Sequence, residues 1–105
     1  MTEAIRRGDV WIADLDKRRP VVILTRDPIA DRLNAVLVAP VTSTVRGLAV
    51  EVPIGPADGI AWPSVLNLDQ LERLDVALLE RRVGRVRDVT LRAVCRAAAL
   101  AIGCG

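Results

Sequence analysis

Two valine-rich runs, Pro20-Val21-Val22-Ile23-Leu24-Thr25 and Ala35 to Val41, constrain this chain more than any other feature. Each is apolar without alternation and too short for an ordinary helix, so each reads as a strand covered on both faces or lying at the centre of a small barrel. Polar chemistry meets each run at one end: Arg18-Arg19 precedes the first, and Thr42-Ser43-Thr44 closes the second. A guanidinium anchored at the mouth of a rigid strand can grip a phosphate through a bidentate fork, and hydroxyls at the end of a second strand can hold the same anion from another side.

The other segments complete a mainly β pattern. Val10 to Ala13, after Gly8-Asp9, predicts a strand, and Ser64 to Leu68, ending at Asp69-Gln70, predicts another. Leu48 to Ile54 alternates, with Val50, Val52 and Ile54 on one face, which predicts a half-exposed strand whose Pro53 suits an edge. Arg26-Asp27-Pro28 to Asn34 carries turn chemistry and reads as a loop with room for one helical turn. Asp75 to Arg82 has room for a short helix capped by Asp75, and Val83 to Val86 for a last short strand. The closing segment is predicted as a helix capped by Asp88. Its apolar residues Leu91, Val94, Cys95, Ala98, Ala101 and Ile102 recur at three and four, Arg92 and Arg96 lie opposite, and Gly103 is a natural stop. Five or six short strands followed by a C-terminal helix, without a linker or repeat, predict one domain over residues 1–105: an α+β chain, mainly β, built as a small barrel.

Composition narrows the chemistry. Fourteen of the fifteen basic residues are arginine, Lys17 being the one lysine, although the net charge is only +2. Arginine is always charged and shaped for planar anions, so the bias fits a phosphate-rich partner, and it equally fits a genome whose codons favour arginine. Histidine is absent, which removes Ser-His-Asp and Cys-His catalysis, histidine-based nuclease sites and histidine-ligated metals. Cys95 and Cys104 form no CxxC and have no third thiol to complete a zinc site. Cys95 is expected to face the core of the helix, with no disulfide required. Nothing approaches the roughly 20 apolar residues of a membrane span, and no apolar signal segment opens the chain, so a reducing, cytoplasmic setting is expected. With no Phe or Tyr in the chain, Trp11 and Trp62 are expected in the core or on a dimer face rather than stacked on bases.

The order Gly8-Asp9-Val10-Trp11, Arg19-Pro20-Val21-Val22-Ile23-Leu24, Pro40-Val41-Thr42-Ser43, then Ser64-Val65 through Asp69-Gln70-Leu71 closely resembles the MazF/PemK toxins, over roughly Arg7 to Ile102. The resemblance implies an SH3-like barrel of the MazF/CcdB type. It further implies a homodimer and a metal-independent, cofactor-free endoribonuclease, the toxin of a type II toxin-antitoxin system neutralised by a cognate antitoxin with an acidic C-terminal segment. In that family the arginine before the proline of the second strand and the threonine closing the third carry catalysis, which places those roles on Arg19 and Thr42. Ser43 lies beside the threonine as a further donor, and Asp69 and Gln70 fall in a stretch that contacts RNA. Charge and position add Lys17, Arg18, Thr44 and Arg46 as candidate RNA contacts.

The chemistry is accessible to these residue types. RNA supplies its own nucleophile, the 2′-hydroxyl, so a protein can cleave it by aligning that oxygen with the adjacent phosphorus and stabilising charge on the non-bridging oxygens. The products would be a 2′,3′-cyclic phosphate and a 5′-hydroxyl. A guanidinium is a poor base, so the acceptor of the 2′ proton stays open among Asp16, a perturbed arginine and water. Taken alone, Arg19 fits a strand arginine in a surface ion pair, and Thr42, Ser43 and Thr44 fit turn residues bonding the backbone. Asp14-Leu15-Asp16-Lys17-Arg18 makes a short connection between the first two strands, which predicts a short, basic lid and access for structured RNA. Two alternatives are a gyrase-poisoning toxin of the same barrel type and a non-catalytic nucleic-acid-binding module. The first relies on a tryptophan among its final residues, where this chain reads Ile102-Gly103-Cys104-Gly105.

Overall fold

Covering a strand on both faces requires a partner on either side of it and a layer above and below. In the computed structural model, which describes residues 4–26 and 34–103, Val21, Val22 and Ile23 are all completely buried. Their run forms β2 (Arg18–Ile23), between β1 (Asp9–Asp14) and β3 (Ala35–Thr42), antiparallel to both. Beyond β3 the sheet continues through β5 (Ser64–Asn67) to β4 (Glu51–Ile54) at one edge, and beyond β1 it ends at β7 (Leu79–Arg85). A further strand, β6 (Glu72–Asp75), pairs with Ala35 to Val38, whereas β5 pairs with Val41 and Thr42. The helix α1 (Asp88–Ile102) packs across β4 and the turn at residues 68–70.

Successive strand residues point to opposite faces, so the central strands build two apolar clusters. Val10, Val22, Ala39 and Val41 belong to one, closed by β4, β5 and the Val94 and Ala97 face of α1. Trp11, Ala13, Val21, Ile23 and Val38 belong to the other, joined by Leu74 of β6. The expected barrel-like β architecture with a C-terminal helix is therefore present, with seven strands among the described residues rather than five or six. Pro53 lies on the edge strand β4, where its missing N–H costs no ladder hydrogen bond. No helix among the described residues is long and apolar enough to cross a membrane.

Four local expectations are corrected. Asp75 does cap a turn, its Oδ1 accepting from Ala77 N at 2.9 Å, but only one 3₁₀ turn forms (Val76–Leu78). The expected helix to Arg82 gives way to β7, because the free edge of β1 offers a ladder, with Ala13 opposite Leu79 and Trp11 opposite Arg82. The strand expected from Leu48 begins at Glu51. Its carboxylate instead gathers the preceding loop, accepting from Arg46 N at 3.0 Å and Leu48 N at 3.1 Å. In α1 the residue at the cap position is Arg87, and Asp88 is the first helical residue, where its charge complements the helix dipole without capping. Cys95 is exposed; the buried stripe of α1 runs through Thr90, Val94 and Ala97, rotated from the expected one. Gly103 ends the helix in the left-handed conformation, with φ 77°. Residues 27–33 of the loop expected from Arg26 to Asn34, and Cys104, lie outside the described residues.

Two carboxylates are buried to 1% exposure, Asp9 and Asp58. Asp9 accepts from Arg85 Nη1 and from Arg6 N, each at 3.0 Å. Asp58 accepts from Arg87 N at 2.8 Å and Arg87 Nε at 3.2 Å. Burial pushes the Asp58 carboxyl up, but hydrogen bonds from the Arg87 side chain and backbone and from Thr90, with the guanidinium charge, outweigh it and hold the group below the ordinary carboxylate range.

Because the folded pKa of Asp58 is depressed, its contribution is complete above the unfolded value of about 3.9 and is lost as pH falls through the lower folded value. Asp58→Asn should therefore cost about 2 kcal/mol at neutral pH. Urea unfolding at a series of pH values checks this, the gap to wild type narrowing below about pH 4.

Candidate active site

Arg19 occupies the second position of β2, opposite Ala13 of β1. Its side chain is 30% exposed and pairs with Asp16, with Nη2 and Oδ1 at 3.4 Å. The Nε of Arg19 is buried with no hydrogen-bond partner. An unpaired buried donor costs about 1–3 kcal/mol, so this guanidinium is poorly satisfied where it stands, and the exposed 30% of its side chain is the part an anion can reach.

Thr42 closes β3 opposite Val65 of β5. Val21 pairs with Pro40, and Arg19 and Thr42 each lie two residues further toward the same end of their strands, which places them opposite one another on one face. The Thr42 Oγ1 accepts from Thr44 N at 3.1 Å. That bond is the turn-forming contact expected of such a hydroxyl, yet it occupies a lone pair and leaves the O–H available to donate. The two readings of Thr42 are thus compatible.

The remaining candidates divide by position. Lys17 and Arg18 sit on the three-residue connection from β1 and the first position of β2. The exposed Arg18 guanidinium donates from Nε to Glu80 Oε1 at 2.7 Å, a hydrogen bond that, with the charge of Glu80, raises its pKa. Ser43 and Thr44 are exposed just beyond Thr42. Arg46 lies further along that loop, its backbone N–H held by Glu51. Asp69 and Gln70 are exposed on the 3₁₀ turn between β5 and β6, set by Asn67, whose Oδ1 accepts from Asp69 N at 2.9 Å. Since β5 pairs with Val41 and Thr42, and β6 with Ala35 to Val38, that turn lies beside the middle of β3. The fold therefore gathers Asp16, Lys17, Arg18, Arg19, Thr42 and Ser43 at one end of the sheet, with Asp69 and Gln70 on a neighbouring stretch.

The β4–β5 connection reaches the same end, and its role was not evident in the sequence. Ser64 at the start of β5 pairs with Ile54 at the end of β4, adjacent to the Thr42–Val65 pair. Trp62, expected in the core or on a dimer face, is 76% exposed on this connection, whereas Trp11 is buried in the second apolar cluster. A lone tryptophan between turn residues carries no periodicity, so nothing local distinguishes the two. Among the described residues no group of three or more His, Cys, Asp or Glu side chains is placed to hold a metal ion.

Comparison with known proteins converges on one family. The family model described as "PemK-like, MazF-like toxin of type II toxin-antitoxin system" matches residues 6–102. The chain is 46% identical over 107 residues to a probable endoribonuclease, MazF5, of Mycobacterium tuberculosis, covering 99% of this chain and 98% of that protein. In structure it is similar to the Mycobacterium tuberculosis toxin MazF-mt6, with a TM-score of 0.86 and 41% identity over 90% of this chain and 96% of the other. It is also similar to an endoribonuclease in complex with its cognate antitoxin from a mycobacterial species, with a TM-score of 0.89 and 27% identity over 97% and 98% of the two chains. The match over nearly the whole sequence and the shared fold together identify the chain as a member of the PemK-like, MazF-like toxin family of type II toxin-antitoxin systems.

Proposed function

We propose that this protein is an endoribonuclease toxin that cleaves RNA by internal transesterification, with Arg19 and Thr42 as its catalytic residues. The observation that carries this reading is the half-buried Arg19, with an unpartnered Nε, facing Thr42 across two strand ends. The substrate's 2′-oxygen attacks the adjacent phosphorus; the new O–P bond forms as the bond to the 5′-oxygen breaks. Arg19 donates N–H hydrogen bonds to the non-bridging oxygens, and the Thr42 hydroxyl donates a hydrogen bond to the same phosphate. Asp16, 3.4 Å from Arg19, accepts the 2′ proton, and water protonates the departing 5′-oxygen. The products are a 2′,3′-cyclic phosphate and a 5′-hydroxyl, and neither metal nor cofactor takes part.

Ser43, Thr44, Lys17, Arg18, Arg46, Asp69 and Gln70 extend the RNA contact along the same end and the adjoining turn. A similar endoribonuclease solved in complex with its cognate antitoxin supports an antitoxin as partner here, an acidic segment occupying the arginine-bearing surface and excluding RNA. The toxin acts as a homodimer in the cytoplasm.

Removing Arg19 takes away the phosphate grip. Arg19→Ala should lower cleavage of RNA in EDTA by at least about a hundredfold, the scale of losing an oxyanion donor, with Thr42→Val reduced less. End-group analysis should find 5′-hydroxyls; undiminished cleavage by Arg19→Ala, or a metal requirement, would overturn the mechanism. The connection between β1 and β2 is only three residues long, so folded RNA should reach the site. Mapping cut sites on transfer, ribosomal and messenger RNA checks this, with cutting confined to unfolded RNA as the contrary result.

A further inference from the structure

Trp62 is the most exposed large apolar side chain among the described residues, at 76%. An indole held in water is unfavourable by its apolar area alone, yet the loop beneath it is firmly built. Gly59, at φ +85°, crosses Gly84 of β7 so closely that a Cβ on it would stand 3.1 Å from the Gly84 Cα. Next to it, Asp58 is clamped by Arg87. On the far side, Ser64 Oγ donates to the Trp62 carbonyl at 2.9 Å. The exposed ring therefore projects from a pre-organised backbone, the arrangement that reduces the entropy lost when a ligand is captured.

The surroundings say what kind of ligand. A pocket of ≈ 220 Å³ lined by Ile12, Pro20, Gly59, Ile60, Ala61 and Val83 runs under the loop. It reaches from Ala61, the neighbour of Trp62, to Pro20, on the face of β2 opposite to the one that carries Arg19. On the other side, Pro63 and Ser64 line a second pocket of ≈ 250 Å³ with Arg87, whose side chain remains 55% exposed despite its bond to Asp58. The aromatic plate thus stands beside a pocket that carries the Arg87 guanidinium, on a connection that ends next to Thr42, and a nucleotide has the matching chemistry: a flat π-face joined to anionic phosphates.

We propose that Trp62 is the stacking platform for an unpaired RNA base flanking the phosphate held by Arg19 and Thr42. The inference rests on the nuclease reading above and adds to it a residue that positions the substrate. Because every base presents a π-face, Trp62 contributes affinity and alignment rather than base identity. The pocket beside Pro20 gives the base an apolar floor, and Arg87 attracts the next phosphate along the strand.

The test uses the full chain and a short single-stranded RNA spanning a mapped cut site, 2′-O-methylated there so that it binds uncut. With two tryptophans in the chain, Trp11→Phe leaves Trp62 as the sole fluorophore, and the RNA should quench it; if that variant fails to fold, the difference between wild type and Trp62→Ala reads the same signal. With cleavable RNA, Trp62→Ala should raise KM by about tenfold, the order one base stack supplies, with kcat near wild type. Trp62→Phe should restore most of the affinity and Trp62→Leu should not. An unchanged KM in Trp62→Ala, rescue by leucine equal to phenylalanine, or absence of quenching overturns the stacking role while leaving the nuclease reading intact. Dissociation of a dimer by Trp62→Ala in sedimentation overturns it in favour of a subunit interface. A wild type that neither cleaves nor is quenched by RNA overturns both.

Discussion

The burial of β2 from both sides is the constraint on which the rest of the molecule depends. With Val21, Val22 and Ile23 fully excluded from water, no charge can be accommodated in the middle of the strand without a heavy desolvation cost. Polar residues are displaced to its end, where Arg19 is half-covered rather than free. That intermediate position matters chemically. A fully solvated guanidinium would meet a phosphate in high dielectric and gain little, whereas one partly withdrawn from water interacts more strongly with any anion that reaches its exposed part.

The same logic governs the two buried acids. Asp9 and Asp58 are each 1% exposed, and each is met by an arginine that keeps much of its side chain in water. Arginine suits this, since its apolar stem reaches inward and its planar head satisfies a carboxylate from the surface. Arg85 ends β7 and Arg87 precedes α1, so both pairs fasten the strand-to-helix junction, one to the start of β1 and one to the β4–β5 connection. The second fastening also fixes the segment that carries Trp62 to the same end as Arg19. Part of the arginine surplus is therefore structural, which composition alone could not separate from a role in phosphate recognition.

Elements with strong local signals were legible. The valine-rich runs, the alternation ending at Ile54 and the three-and-four spacing after Asp88 each announced an element, and the motif order identified the family before any geometry was known. Segments whose conformation is chosen by a neighbour were not. Leu79 to Arg85 carries helix-compatible residues, yet the open edge of β1 made it a strand. Asp75 retained its capping bond while the helix it would have capped did not form. In α1 the rotation of the buried stripe left Cys95 outside, because alanines at 97, 98 and 101 give several faces of the helix similar apolar character, and the packing against β4 selected one of them.

The sequence by itself determined that the chain would be mainly β with a C-terminal helix, that Arg19 and Thr42 would sit at strand ends, and that no imidazole chemistry was available. Those properties follow from local pattern and residue type. Tertiary structure alone decided that the two strand ends face each other, that Arg19 keeps an unsatisfied donor, that Asp16 approaches it, and that Trp62 stands exposed at the same end. These depend on register between residues distant in sequence. Register is set by how the whole set of side chains packs, and no single segment encodes it.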